Sequence, residues 1–254
     1  MRTALLTVPF GLSAGSVIGA AATRWPAGLD LGRPARSRCD ACDRRLGPRE
    51  LVPVLSWLVQ GGQCRGCGAR IDGRWPVVEL ATAGVVVLAV AAPPLEVSLL
   101  LAAVGVVLLL AVLLDLDERW IPDRLTLPAG AFVLPAALAL SVREGGTMHP
   151  RDVLLHGLGV PGALAVVRGI GAAVDGRAWF GGGDVKLLVP VLAAATVIPG
   201  GPALVGLGAI GSGGAVAAAG LASGRLTRGS ALPFAPFLLI GWCALLLRRL
   251  LGDG

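Results

Sequence analysis

The sequence predicts an all-α integral membrane protein: about eight transmembrane helices, with a small cytoplasmic zinc-ribbon-like insert between helices 1 and 2. Three observations carry this. The 254 residues are 55% hydrophobic and only 15% charged, against roughly 25% charged in soluble domains, and mean hydropathy is +0.77. Apolar stretches near the ~20 residues that cross a bilayer recur along the chain. One sizeable polar segment interrupts them, residues 24–76, and it holds four cysteines at metal-ligand spacing. With 38 glycines, 4% aromatics and no tyrosine, the helices are expected to meet through small residues and close backbone contact.

The apolar stretches are residues 3–23, 77–94, 96–114, 124–142, 151–170, 185–200, 202–222 and 231–248. The sixth is short and the seventh glycine-rich, so reading residues 185–222 differently would give seven spans. The first also has the form of a secretory signal, with Arg2 ahead of an apolar core that ends in small residues. Charge placement favours a retained span. With the amino terminus outside, the inside loops are residues 24–76, 115–123, 168–184 and 223–230. These and the adjoining helix ends hold all 22 basic residues except Arg2, Arg143, Arg151, Arg248 and Arg249. The positive-inside rule supports that orientation, although the Arg248-Arg249 pair after the last helix is awkward for it. The net charge of +6 therefore reads as cytoplasmic loops. No nucleic acid partner is expected, because no basic patch is interleaved with aromatics. The expected division is residues 1–76, a first helix plus insert, and residues 77–254, the membrane-embedded core.

An insert of about fifty residues is too small to build a large apolar core unaided. Cys39-x-x-Cys42 and Cys64-x-x-Cys67 supply a staple with the spacing of a two-knuckle tetrahedral zinc site. Disulfides are disfavoured in a cytoplasmic loop, and two pairs suit a metal better than redox chemistry. Four cysteines leave no open coordination position, so the expected metal is structural zinc.

Carboxylates stand where the membrane disfavours them. Asp115 follows the apolar run 106–114 without a polar spacer, and an ionisable residue at the membrane boundary is a functional candidate. Asp184 follows Gly181-Gly182-Gly183. Such glycines allow positive φ and close approach of a neighbouring chain, and a helix amino terminus favours a carboxylate. Taken alone, Asp184 reads equally well as a helix N-cap. The triple glycine is not a nucleotide loop, because no Gly-Lys-Ser/Thr follows. Two carboxylates on separate helices at one membrane face meet the minimum for aspartyl proteolysis, one activating water while the other protonates the carbonyl. A proton-coupled transporter would use the same residues, yet no internal repeat is evident. A non-catalytic assembly protein gives no reason for either aspartate. Asp117 would point about 200° from Asp115 on a continuing helix, and Asp123 is expected to cap the fourth helix.

The order of motifs resembles the type IV prepilin peptidases, membrane proteases of the Gly-x-Gly-Asp class, over nearly the whole chain. The matches begin with Gly15-Ser16, Arg24-x-Pro26, Arg36-Ser37-x-Cys39-x-x-Cys42 and Glu50-x-x-Pro53-x-x-Ser56-Trp57. They continue through Cys64-Arg65-x-Cys67, Arg74-Trp75-Pro76-x-x-Glu79, Asp115-x-Asp117 and Ile121-Pro122-Asp123. Gly181-x-Gly183-Asp184 and Leu232-Pro233-Phe234-Ala235-Pro236-Phe237 complete the set. The resemblance implies that Asp115 and Asp184 are catalytic, with Arg119 and Pro122 fixing the register of the first and Gly181 and Gly183 framing the second. It implies pilin or pseudopilin substrates, cut after the leader glycine in the bacterial inner membrane with the active site toward the cytoplasm. It also implies methylation of the new amino terminus from S-adenosylmethionine, an activity tied to the cysteine-bearing part. Two residues depart from the pattern there: Gly19 stands where an asparagine is usual, and Trp75 where a tyrosine is usual.

Overall fold

The computed structural model describes residues 6–30, 37–143, 149–176, 180–227 and 230–252. Arg2, Arg33, Arg36, Arg177 and Arg228, which entered the charge argument, lie outside them. Among the described residues the regular secondary structure is helical, apart from two isolated β-bridges. The chain forms two compact units, Met1–Ala91 and Ala92–Gly254.

The first unit contains α1 (Val8–Arg24), a short α2 (Leu55–Val59) and α3 (Arg74–Val90). Pro9 and Pro76 sit in first turns, where a missing N–H costs nothing. The helix α3 therefore starts at Arg74 rather than at the predicted residue 77. Helices α1 and α3 pack through glycine, as the composition predicts. A Cβ on Gly11 would lie 2.5 Å from Ala83 Cα, and one on Gly15 would lie 2.5 Å from Glu79 Cα. One turn further, a Cβ on Gly19 would approach the Trp75 ring to 3.1 Å. Gly19 and Trp75 thus pack against each other, the absent side chain at 19 leaving room for the indole ring.

The second unit comprises α4 (Leu95–Glu118), α5 (Asp123–Arg143), α6 (Pro150–Leu154), a π-helical turn (Leu155–Gly159), α7 (Val160–Asp175), α8 (Gly182–Ala195), α9 (Gly201–Ala222) and α10 (Ala235–Gly252). Residues 185–222, for which one span was an alternative, form two separate helices. Among the described residues, five helices are long and apolar enough to cross a membrane: α4, α5, the stretch Pro150–Val174, α9 and α10. Shorter helices, α1, α3 and α8, occupy the remaining predicted stretches. Helix α4 is the most apolar and most enclosed of the five, with Leu101, Val104, Leu108, Ala111 and Leu114 fully buried. Around it lie α5 and α10. Helices α9 and α10 approach closely enough that a Cβ on Gly208 would lie 2.7 Å from Gly241 Cα.

Arg248 and Arg249 lie within α10 rather than after it. Arg249 is 8% exposed and donates to the carbonyls of Ala92 and Pro93, each at 2.8 Å, and to Ser98 Oγ. Its charge is built into the end of the unit, where it satisfies carbonyls that precede α4. That accounts for an arginine the positive-inside rule did not.

Candidate active site

Asp115 and Asp184 come from opposite kinds of helix end. Asp115 stands in the last turn of α4 and is 6% exposed. The helix runs on to Glu118, so Asp117 faces another direction and is exposed. It closes at Arg119, whose backbone is left-handed (φ 51°, ψ 38°) and whose N–H returns to the Asp115 carbonyl at 3.1 Å. The Arg119 guanidinium then donates to the Ala231 carbonyl at 3.0 Å. This tether holds the segment before α10 against the end of α4. Pro233 and Pro236 set the start of α10, and the N–H of Ala235, its first residue, reaches Asp115 Oδ2 at 2.9 Å. The Phe234 N–H also binds this carboxylate. Asp115 is therefore held by the orphan donors of a helix amino terminus, a natural seat for an anion.

Asp184 is not the N-cap its position suggested. Gly181 is the N-cap and Asp184 the third helical residue, its carboxylate reaching back to the Gly181 N–H. None of the three glycines has positive φ, so conformational freedom is not what they supply. Space is. A Cβ on Gly181 would lie 2.5 Å from Asp184 Oδ2, and one on Gly183 would lie 2.8 Å from both Cβ and the carbonyl oxygen of Ile121. The Gly-x-Gly-Asp turn is thus pressed against the Ile121-Pro122 segment that follows α4. Asp123 opens α5 but does not act as the expected side-chain cap. It pairs with Lys186 at 2.6 Å, and the Pro122 carbonyl accepts the N–H groups of Leu125 and Thr126. On the far side, Arg168 Nε donates to the Phe180 carbonyl at 3.0 Å. These contacts press the start of α8 against the segment that follows α4, so that Asp115 and Asp184 stand at the same end of the second unit. Lys186, Arg168 and the Phe234-Ala235 amides had no assigned role in the sequence reading.

Replacing Gly183 with alanine is expected to push α8 off Ile121, because the obstructing atoms include backbone. Activity in a cleavage assay should fall by at least about tenfold, as a displacement near 1 Å costs more than that at a reacting centre.

In the first unit the four cysteines meet. Their sulfurs all lie within 4.8 Å of one another, and Cys39 and Cys67 are 3.9 Å apart, against about 3.8 Å between sulfurs bound tetrahedrally at ~2.3 Å to one ion. The two knuckles repeat one design. In each, the N–H of the first cysteine donates to the carbonyl five residues on (Cys39 to Arg44, Cys64 to Ala69). The carbonyl of that cysteine accepts the N–H four residues on (Asp43 and Gly68), at a residue of positive φ. Bridges Arg38–Arg45 and Gln63–Arg70 close the turns. The sulfurs do not titrate alike. N–H groups of Cys67 and Gly66 pull the Cys64 thiol down to about 6. Cys42, although the Arg44 N–H favours its thiolate, is pushed up to about 11 by Cys67, burial and Cys39. Four thiolates this close need a cation between them, so the donor set fits a soft divalent metal.

Arg44 supports the cluster from outside. It reaches the Cys64 sulfur at 3.9 Å and makes a bidentate pair with Glu50 at 2.6 and 3.0 Å. That guanidinium and the Gly47 N–H hold the Glu50 carboxyl down at about 2. A depressed carboxylate stabilises the fold above its ordinary value of 4.5 and loses that contribution as pH falls toward the folded value. The difference in thermal stability between the wild type and Glu50→Gln should be constant from pH 7 to 5 and close between pH 4.5 and about 2.

Residues 10–92 match the bacterial peptidase A24 N-terminal domain, and residues 100–247 match the type IV leader peptidase family. A Bacillus subtilis (strain 168) protein named prepilin leader peptidase/N-methyltransferase is 34% identical over 242 residues, covering 91% of this chain and 89% of its own length. Proteins of the same name from Aeromonas salmonicida (strain A449) and Dichelobacter nodosus are 34% and 32% identical. They cover 83% and 85% of this chain and 71% and 73% of their own lengths. No solved structure matches the chain. Family match and helical architecture agree in making this a multi-pass membrane protein, and the chain belongs to the type IV leader peptidase family of aspartic peptidases.

Proposed function

We propose that the protein removes the leaders of prepilins or pseudopilins at the cytoplasmic face of the bacterial inner membrane, with Asp115 and Asp184 as its catalytic pair. The observation that carries this reading is their convergence. Two carboxylates from separate helices reach the same end of the second unit, one seated on the amino terminus of α10 and the other framed by glycines. The unprotonated carboxylate takes a proton from water, and the resulting hydroxide adds to the scissile carbonyl carbon. The protonated partner gives its proton to the carbonyl oxygen. Collapse of the tetrahedral species then breaks the C–N bond as a proton passes to the leaving nitrogen. Arg119, Pro122, Gly181 and Gly183 position the pair, and Asp123 joins its two segments through Lys186.

Eight spans are proposed, the three shorter helices included, with residues 24–76 inside. Cys39, Cys42, Cys64 and Cys67 hold zinc, which supplies a cross-link and no reaction centre because no ligand position is open. The relatives' names also support amino-terminal methylation. S-adenosylmethionine, when bound, supplies a methyl group to the new terminal nitrogen. Purified protein in detergent, offered a leader-bearing prepilin peptide, should release the leader after its final glycine. With S-adenosylmethionine added, the product should gain one methyl mass at its amino terminus. An intact peptide would overturn the peptidase assignment. Proton uptake into vesicles without cleavage would favour a transporter.

A further inference from the structure

A cavity of about 470 Å³ opens in the first unit where the end of α1, the start of α3 and the first cysteine knuckle meet. Its size suits a cofactor-sized ligand, for which pockets run roughly 300–1,000 Å³. Its chemistry is divided. On α3, Glu79 lines the cavity with a carboxylate held by the Val54 N–H at 2.6 Å and by the Ser16 hydroxyl. These two donors fix the carboxylate one turn from Trp75. Asp40 adds a second carboxylate from the knuckle, while Asp43 is already paired with Arg38 at 2.7 Å. Arg24 supplies a cation at the end of α1, and Trp75 an aromatic wall, its ring under the Arg74 guanidinium at 4.2 Å and in the space where Gly19 has no side chain. A ligand matched to this set carries a positive centre, a carboxylate and a flat ring.

We infer that this cavity is the methyl-donor site, binding S-adenosylmethionine with Glu79 against its positively charged end, Arg24 toward its carboxylate and Trp75 beside its base. The inference rests on the methyltransferase reading and adds the place. It also gives the cysteine knuckle a second purpose, since folding around the metal brings Asp40 to the rim.

Equilibrium dialysis of labelled S-adenosylmethionine against the full chain in detergent tests it, with zinc content measured on each sample. Glu79→Gln keeps an acceptor for the Val54 N–H and removes the charge. It should weaken binding by at least about tenfold, the lower end of what a charge-assisted hydrogen bond contributes. Ala20→Leu fills the cavity without altering any charge and should weaken binding at least as much. It decides the matter should Glu79→Gln lose its zinc. Wild-type binding in both zinc-loaded variants overturns the site while leaving the methyltransferase reading intact. Failure of the wild type itself to bind overturns that reading and the site with it.

Discussion

Asp115→Asn and Asp184→Asn should each lower leader cleavage by at least about 10³-fold, within the range that a positioned acid or base contributes. Both substitutions conserve volume. The side-chain amide introduced at position 115 would still accept the Ala235 N–H that now reaches Oδ2 at 2.9 Å, and an amide at position 184 still fits over Gly181. The fold around both is fixed by contacts that neither change touches: Gly183 on Ile121, Lys186 on Asp123 and Arg119 on Ala231. Both variants should therefore purify as the wild type does and bind the substrate peptide with little change. Initial rates of product formation by mass spectrometry give the comparison. Asp117→Asn is the control, because that residue faces away from the site and should cost less than about twofold in rate.

The second large effect concerns the metal proposed for the four cysteines. Removing it, or replacing Cys64 with serine, should unfold residues 37–73. Structural zinc supplies on the order of 10 kcal/mol to a small domain, and little else holds this one. Its elements are a three-residue 3₁₀ turn, five-residue α2 and two single-bridge knuckles. Trp57, whose ring nitrogen donates to the Ile71 carbonyl at 3.1 Å, reports the change. Its fluorescence should shift on chelation and return on adding zinc. Cys64 is the buried member of the four, so serine there should be more damaging than serine at exposed Cys42.

Much of the fold was legible in the sequence because long apolar helices announce themselves through length and composition, and because the cysteine motif carries its spacing with it. Predicted stretches 96–114 and 124–142 lie inside α4 and α5, and the four cysteines meet as their spacing implies. What the sequence could not carry was contact across long separations. Nothing local to Asp115 points to Ala235, 120 residues away, and nothing local to Arg249 points to the carbonyls of Ala92 and Pro93. The start of α8 was misplaced for a different reason. Glycine has low helix propensity, so Gly182 and Gly183 read as a turn. Gly183 is tolerated inside the helix because its packing on Ile121 leaves no room for a side chain. The last predicted span began at residue 231, whereas α10 starts at Ala235, after Pro233.

The central claim is that Asp115 and Asp184 work as one unit, and a double-variant comparison tests it most directly. The Asp115→Asn, Asp184→Asn double variant should be no slower in leader cleavage than either single variant within about threefold. Removing one member already disables the pair, and effects within such a unit are far from additive. If instead either single variant cleaved at the wild-type rate, or the double variant lost the product of two large independent factors, the shared site would be contradicted.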